Sequence, residues 1–249
     1  MKAFFSAFST LTILPVPRRV QCDEKSLAAA VVYFPLVGRA LGALLATLFY
    51  GLRPVLAPLP LAALLLFVSV LFTGGLHLDG VADLCDGLGA GGPPERMLAV
   101  MKESHIGAFG VIGLVLILLF KFSLFFEIID TGRWQAFLLM GMLSRWSMVF
   151  AAFIGTYPRA AGTGMAFIGN IRNRHLLLAT SLTLLLSALI LDVPGLGAMA
   201  LAALTTVSFV SYLKHKLGGL TGDGLGALNE KVEVLVMLFV VTIEPGVNP

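Results

Sequence analysis

Long apolar runs separated by short polar loops dominate this chain. Seven of them, at roughly 28–50, 61–77, 106–126, 134–154, 176–191, 195–213 and 231–244, approach or reach the ~20 residues that a helix needs to cross a bilayer. The pattern predicts an all-α, polytopic integral membrane helical bundle of about seven transmembrane helices, built as a single domain over residues 1–249. Pro54, Pro58 and Pro60 punctuate the first loop, and Asp192-Val193-Pro194-Gly195 predicts a tight turn between the fifth and sixth runs. The apolar stretch 1–14 is too short to span and lacks an A-x-A cleavage pattern. Followed at once by Pro15-Val16-Pro17-Arg18-Arg19, it is expected to stay in the mature protein as an interfacial or re-entrant segment.

Composition agrees with the pattern. Of 249 residues, 58% are hydrophobic and 12% charged, with a mean hydropathy of +0.95, whereas soluble domains carry about 25% charged residues. The basic residues predict an orientation. One set of alternate loops holds Arg18, Arg19, Lys25, Arg96, Lys102, Arg159, Arg172, Arg174, Lys214, Lys216 and Lys231; the other holds Arg53 and Arg133. The positive-inside rule puts the first set in the cytoplasm. A net charge of +3 without a dense basic block gives no reason to expect nucleic acid as a partner. Cys22 and Cys85 do not make a disulfide framework. Within the runs, Arg39 and Lys121 are expected to snorkel or pair, and Arg145, deeper in its run, to face a polar cavity.

Against this background the stretch 74–87 stands out. Asp79, Asp83 and Asp86 follow the second run at i, i+4 and i+7, which puts all three on one helical face. Carboxylates in a row suit Mg²⁺, a hard cation that is commonly shared with a phosphorylated substrate. A second polar motif, 218–230, follows the sixth run on the same predicted side, and its Asp223 and Glu230 again share one helical face. Aligned from their Gly-Gly-Leu, the two stretches superpose Asp79-Gly80 on Asp223-Gly224, as a parallel internal repeat would. Together they could clamp metal on a pyrophosphate for in-line attack. His77 is the natural proton carrier nearby, with Glu230 as a second candidate. Lys102 could reach a phosphate or simply anchor the loop at the interface. The residues alone leave open a transferase, an alcohol phosphotransferase of the CDP-alcohol type, and an ion-coupled transporter. The transporter is disfavoured because the aspartates fall at span ends rather than near the midplane.

The chain resembles the cobalamin-5′-phosphate synthase (adenosylcobinamide-GDP ribazoletransferase) family. The similarity runs through Leu14-Pro15-Val16-Pro17, Tyr33-Phe34-Pro35-Leu36-Val37-Gly38, residues 74–87, Met101-Lys102 with Ser104, Ile106-Gly107 with Phe109-Gly110, Ser144-Arg145-Trp146 and 219–230. It departs where the family reads Asp-Ser-Arg after the lysine: here stand Glu103-Ser104-His105, which removes a permanent cation. The resemblance implies transfer between adenosylcobinamide-GDP and α-ribazole, or its 5′-phosphate, with release of GMP at the bacterial cytoplasmic (inner) membrane, the active site facing the cytoplasm. It further implies Mg²⁺ on Asp79, Asp83, Asp86 and Asp223, and substrate contacts at Lys102, Ser104, Arg145, Gly219, Thr221 and Asn229. A homo-oligomer or contact with other cobalamin-assembly enzymes fits the same picture, beside the lipid bilayer.

Overall fold

A computed structural model describes residues 2–14, 29–159 and 162–243. Pro15-Val16-Pro17, Arg18, Arg19, Cys22 and Lys25, and the first residue of the first run, lie outside the described residues. The described chain is helical throughout: α1 (Lys2–Leu11), α2 (Phe34–Leu52), α3 (Pro58–Thr73), α4 (Leu76–Ala90), α5 (Pro94–Val100), α6 (Ala108–Thr131), α7 (Gln135–Ile154), α8 (Asn173–Leu217) and α9 (Gly222–Thr242). Prolines open α2, α3 and α5, where a missing N–H costs nothing.

Burial runs opposite to hydropathy. The strongly apolar α6 has only 22% of its span buried, whereas α7 has 83%. Val111, Ile112, Val115, Leu116 and Leu119 of α6, and Leu184, Leu185 and Leu189 of α8, are turned outward. An outer wall of this kind is what lipid requires, and the all-α membrane bundle predicted from the sequence is the fold observed. α7 is the axis, enclosed by α2, α8 and α9. Its approach to α2 runs through paired glycines: a methyl group on Gly38 would overlap the Gly141 carbonyl, and one on Gly141 would overlap that of Gly38.

Four helical stretches are long and apolar enough to cross a membrane, or five if α3 and α4, bent by 87°, make one broken span. The difference from seven has two physical sources. Runs 176–191 and 195–213 share the 45-residue α8, which breaks at Leu191 and Asp192 (φ 44°) and folds back so tightly that a methyl on Gly195 would overlap the Ser187 carbonyl. The turn falls where Asp192-Val193-Pro194-Gly195 predicts it. Run 231–244 belongs to α9, whose Asp223, Glu230, Lys231 and Glu233 dilute its hydropathy. Run 61–77 stops at Thr73, where Gly74 (φ 63°) and Gly75 (φ 73°) turn the chain into α4.

Candidate active site

The two acidic stretches, far apart in sequence, pack against each other. α4 meets α9 at Gly80, where an added Cβ would lie 2.6 Å from the Asp223 carbonyl oxygen, and at Gly226, where it would lie 3.2 Å from the His77 backbone. Small residues here let the backbones close and carry their carboxylates into one region. The two stretches are not copies in detail. Both follow a left-handed glycine, Gly74 or Gly218, but α4 begins at Leu76 and α9 at Gly222. Asp79 is therefore the fourth helical residue and Asp223 the second.

Asp79 is exposed, and Asp83 and Asp223 are partly exposed. Asp83 stands in the combined field of Asp79, Asp223 and Asp86. Among the described residues, neither Asp79 nor Asp83 has a cation or hydrogen-bond partner for its side chain. Asp223 has one: Arg159 donates from Nη1 to Oδ2 at 3.3 Å. Burial raises the Asp223 carboxyl above its ordinary range, and the Arg159 guanidinium only partly offsets this.

Asp86 has a different occupation. Gly107 N–H donates to its Oδ2 at 2.7 Å and Gly110 N–H to its Oδ1 at 2.8 Å. The carboxylate thus caps the start of α6 from a neighbouring helix, where unpaired amides and the helix dipole favour a negative charge. Its place in the acidic row is as predicted, but both of its oxygens are engaged by backbone.

Two cavities adjoin at Asp79. One, of about 370 Å³, is walled by apolar side chains such as Phe34, Val149 and Phe167 and is also lined by His77, Asp79 and Asp223. The other, of about 830 Å³ and more open, is lined by Ser9, Thr12, Thr73, Asp83, Glu103 and Ser104 among others. Thr10, Leu76 and Asp79 belong to both.

These features can now be set against known proteins. The cobalamin-5-phosphate synthase family profile matches residues 3–241. The chain belongs to this family. An adenosylcobinamide-GDP ribazoletransferase of Geotalea daltonii is 41% identical over 98% of this chain and 98% of its own length. One from Syntrophobacter fumaroxidans is 41% identical over 93% and 94%, and one from Desulfitobacterium hafniense 39% over 96% of each. No solved structure matches the chain significantly.

With the family in view, the remaining predicted site residues divide into two groups. Ser104 lines the open cavity beside His105, and Lys102 is exposed on the same loop. His77 is 1% exposed, lines the apolar cavity, and has no hydrogen-bond partner on either ring nitrogen.

The others turn away from the cavities. Thr221 is fully buried as the N-cap of α9, its Oγ1 accepting from Gly224 N–H at 3.0 Å. Gly219 packs against the Thr156 carbonyl, which accepts from Leu220 N–H at 2.8 Å, so this pair fastens the loop after α7. Glu230, Arg145 and Asn229 join a buried charge cluster. Lys121 Nζ donates to Glu230 Oε2 and Glu233 Oε2, both at 2.7 Å; Arg145 Nη1 donates to Glu233 Oε1 and, at 3.0 Å, to Ser144 Oγ. Asn229 Nδ2 donates to Glu233 Oε1 at 3.2 Å. Two cations meet two carboxylates, around a void of only about 10 Å³.

Glu230, read from the sequence as a candidate proton acceptor, is instead neutralised inside the bundle, and Arg145 faces a polar void as expected, a small one shared with Lys121, Glu230 and Glu233. Sequence reasoning missed Glu233, although Glu233 lies three residues after Glu230 on the same helix face. Arg159, read from the sequence as an orienting charge in a loop that could also bind phosphate, touches Asp223.

Proposed function

We propose that this protein joins adenosylcobinamide-GDP to α-ribazole, or to its 5′-phosphate, releasing GMP in a late step of cobalamin nucleotide-loop assembly. The observation that carries the reading is the packing of α4 on α9 through Gly80 and Gly226, which brings Asp79, Asp83 and Asp223 to the edge of two adjoining cavities. Family membership supports it, as do the printed names of the relatives.

The donor set suits Mg²⁺. It is all carboxylate oxygen, and among the described residues Asp79 and Asp83 form no ion pair, although the Arg159 charge reaches Asp83. No three His, Cys, Asp or Glu side chains among the described residues converge as a closed cage. Mg²⁺ usually takes one or two carboxylates and completes its shell with water and substrate phosphate. One or two of Asp79, Asp83 and Asp223 would hold the ion together with water and substrate phosphate, with Asp86 tying α4, which carries the first two, to the start of α6. When bound, the ion supplies positive charge against the diphosphate.

The chain's own residues do the rest. The two cavities meet at Asp79, so a diphosphate seated at their junction is open to approach by a ribose hydroxyl from the neighbouring cavity at the phosphorus on the cobinamide side. The new O–P bond forms as the O–P bond to GMP breaks. His77, in the cavity wall with both ring nitrogens free of protein partners, accepts the hydroxyl proton. The bias of basic residues supports an orientation with this face toward the cytoplasm, at a bacterial inner membrane.

The test is a mass-resolved reaction: purified protein in liposomes with adenosylcobinamide-GDP, α-ribazole and Mg²⁺, and an EDTA control. Metal-dependent appearance of adenosylcobalamin with GMP is expected. Absence of product from folded protein with either ribazole form would refute the reading.

A further inference from the structure

A transferase that joins two substrates needs two seats meeting at one point, and the two cavities sharing Asp79 differ in the way two unlike substrates would require. The smaller is enclosed by Leu11, Val31, Phe34, Val149, Ala152 and Phe167. Phe34 and Phe167 face each other across 5.9 Å between ring centroids, at 55°, and so offer an aromatic wall. Its polar lining is Thr10, His77, Asp79 and Asp223, and the Asp223 backbone meets Gly80 at the contact that joins α4 to α9. A guest that is flat and apolar at one end and hydroxylated at the other fits this division of lining. The larger cavity is more open and less apolar, with Asp83, Glu103, Ser104 and His105 among its leucines and isoleucines, so it can hold part of a charged molecule while the remainder stays outside.

We infer that the apolar cavity seats the aromatic base of the ribazole nucleoside, with its ribose toward the carboxylates, and that the open cavity receives the nucleotide-activated substrate. α1 is then the partition: Ser9 and Thr12 face the open cavity, Leu11 the apolar one, and Thr10 both. This gives the short N-terminal helix a part in keeping the substrates apart except at Asp79. The inference rests on the transferase reading and deepens it by assigning each substrate its own cavity.

Two measurements test it in liposome-reconstituted full-length protein. Ala152→Cys places a thiol in the apolar wall, outside the catalytic machinery, and peptide mass spectrometry separates it from Cys22 and Cys85. Saturating α-ribazole is expected to slow its labelling by a small methanethiosulfonate at least about tenfold, while adenosylcobinamide-GDP alone leaves the rate within about twofold. Val149→Phe fills the same cavity and is expected to raise KM for α-ribazole at least about tenfold, with KM for adenosylcobinamide-GDP and kcat little changed. Ile106→Trp, in the open cavity, is expected to show the reverse pattern.

Turnover by the unmodified protein, with no protection at position 152 or with the Val149→Phe effect falling on adenosylcobinamide-GDP, overturns the seat assignment and leaves the reaction standing. Protection at position 152 without turnover keeps the cavity as a nucleoside site and overturns the reaction. If Ala152→Cys resists labelling, the paired KM shifts decide; if Val149→Phe fails to fold, the protection experiment does.

Discussion

Removing Lys121 tests whether the charge cluster holds the bundle together. Its ammonium touches Glu230 and Glu233 at 2.7 Å each, and the three side chains are between 2% and 5% exposed. Water therefore screens them little. At an effective dielectric of about 20, each contact is worth about 6 kcal/mol of direct Coulomb attraction. Much of that is offset by the cost of taking the charges out of water, and the net effect of breaking one side of a buried pair is about 3–5 kcal/mol. Lys121→Met keeps the apolar stem and removes the charge, leaving two carboxylates facing Arg145 alone. At about 2–4 °C per kcal/mol for a chain of this size, Tm should fall by about 6–20 °C. Trp134 and Trp146, the two tryptophans of the chain, report the transition through intrinsic fluorescence in detergent. Charge balance can be restored in a second variant, Lys121→Met with Glu230→Gln, which leaves Arg145 paired with Glu233. It should recover more than half of the loss, because the two changes share one network and are not additive. A Lys121→Met Tm within about 2 °C of the parent, or a double variant no better than the single one, would refute the argument.

Further outcomes follow from the carboxylates and the histidine. Asp83→Asn should lower kcat/KM at least about 100-fold and raise the Mg²⁺ concentration for half-maximal rate, measured by GMP release, with Tm little changed. Asp86→Asn should behave in the opposite way: its Mg²⁺ dependence stays close to the parent's, while loss of one of two amide contacts at the start of α6 lowers stability by about 1–3 kcal/mol in thermal unfolding. Equal effects of the two substitutions on the Mg²⁺ titration would count against separating their roles. His77→Asn, which keeps a polar group of similar reach but cannot take a proton at neutral pH, should reduce kcat by about 10²–10⁴. KM for both substrates should stay near the parent value; a shift confined to KM would make His77 a binding residue.

Much of this architecture is legible in the sequence because membranes simplify the rules. Apolar runs become helices, a proline opens a helix, and Gly-Gly closes one, as at Gly74-Gly75 and Gly218-Gly219. The Asp79, Asp83, Asp86 face was also visible from spacing alone. What each carboxylate meets was not. Asp86 finds backbone amides 21 and 24 residues away, and Glu230 finds Lys121 at a separation of 109. Spacing along one helix says nothing about which neighbour supplies the partner. Glu230, seven residues after Asp223, read as a second member of the site for that reason, although it sits behind the cavities with Lys121. The count of seven spans is not confirmed: length and composition single out four or five, because α8 doubles back within one element and α9 carries charges that it matches to neighbouring helices.

The pairing of early helices with the last one also has a consequence for biogenesis. Chains are made from the N-terminus onward. When the ribosome has completed α7, Lys121 and Arg145 exist, but Glu230 and Glu233 do not. A cation without an anion is costly at membrane depth, so α6 and α7 have a reason to wait beside the insertion machinery, or near the lipid headgroups, until α9 emerges. Emergence of α9 is then the step that lets the earlier helices commit to the bilayer. The same event brings Asp223 to Gly80, so the active site is completed only after α9 has joined them.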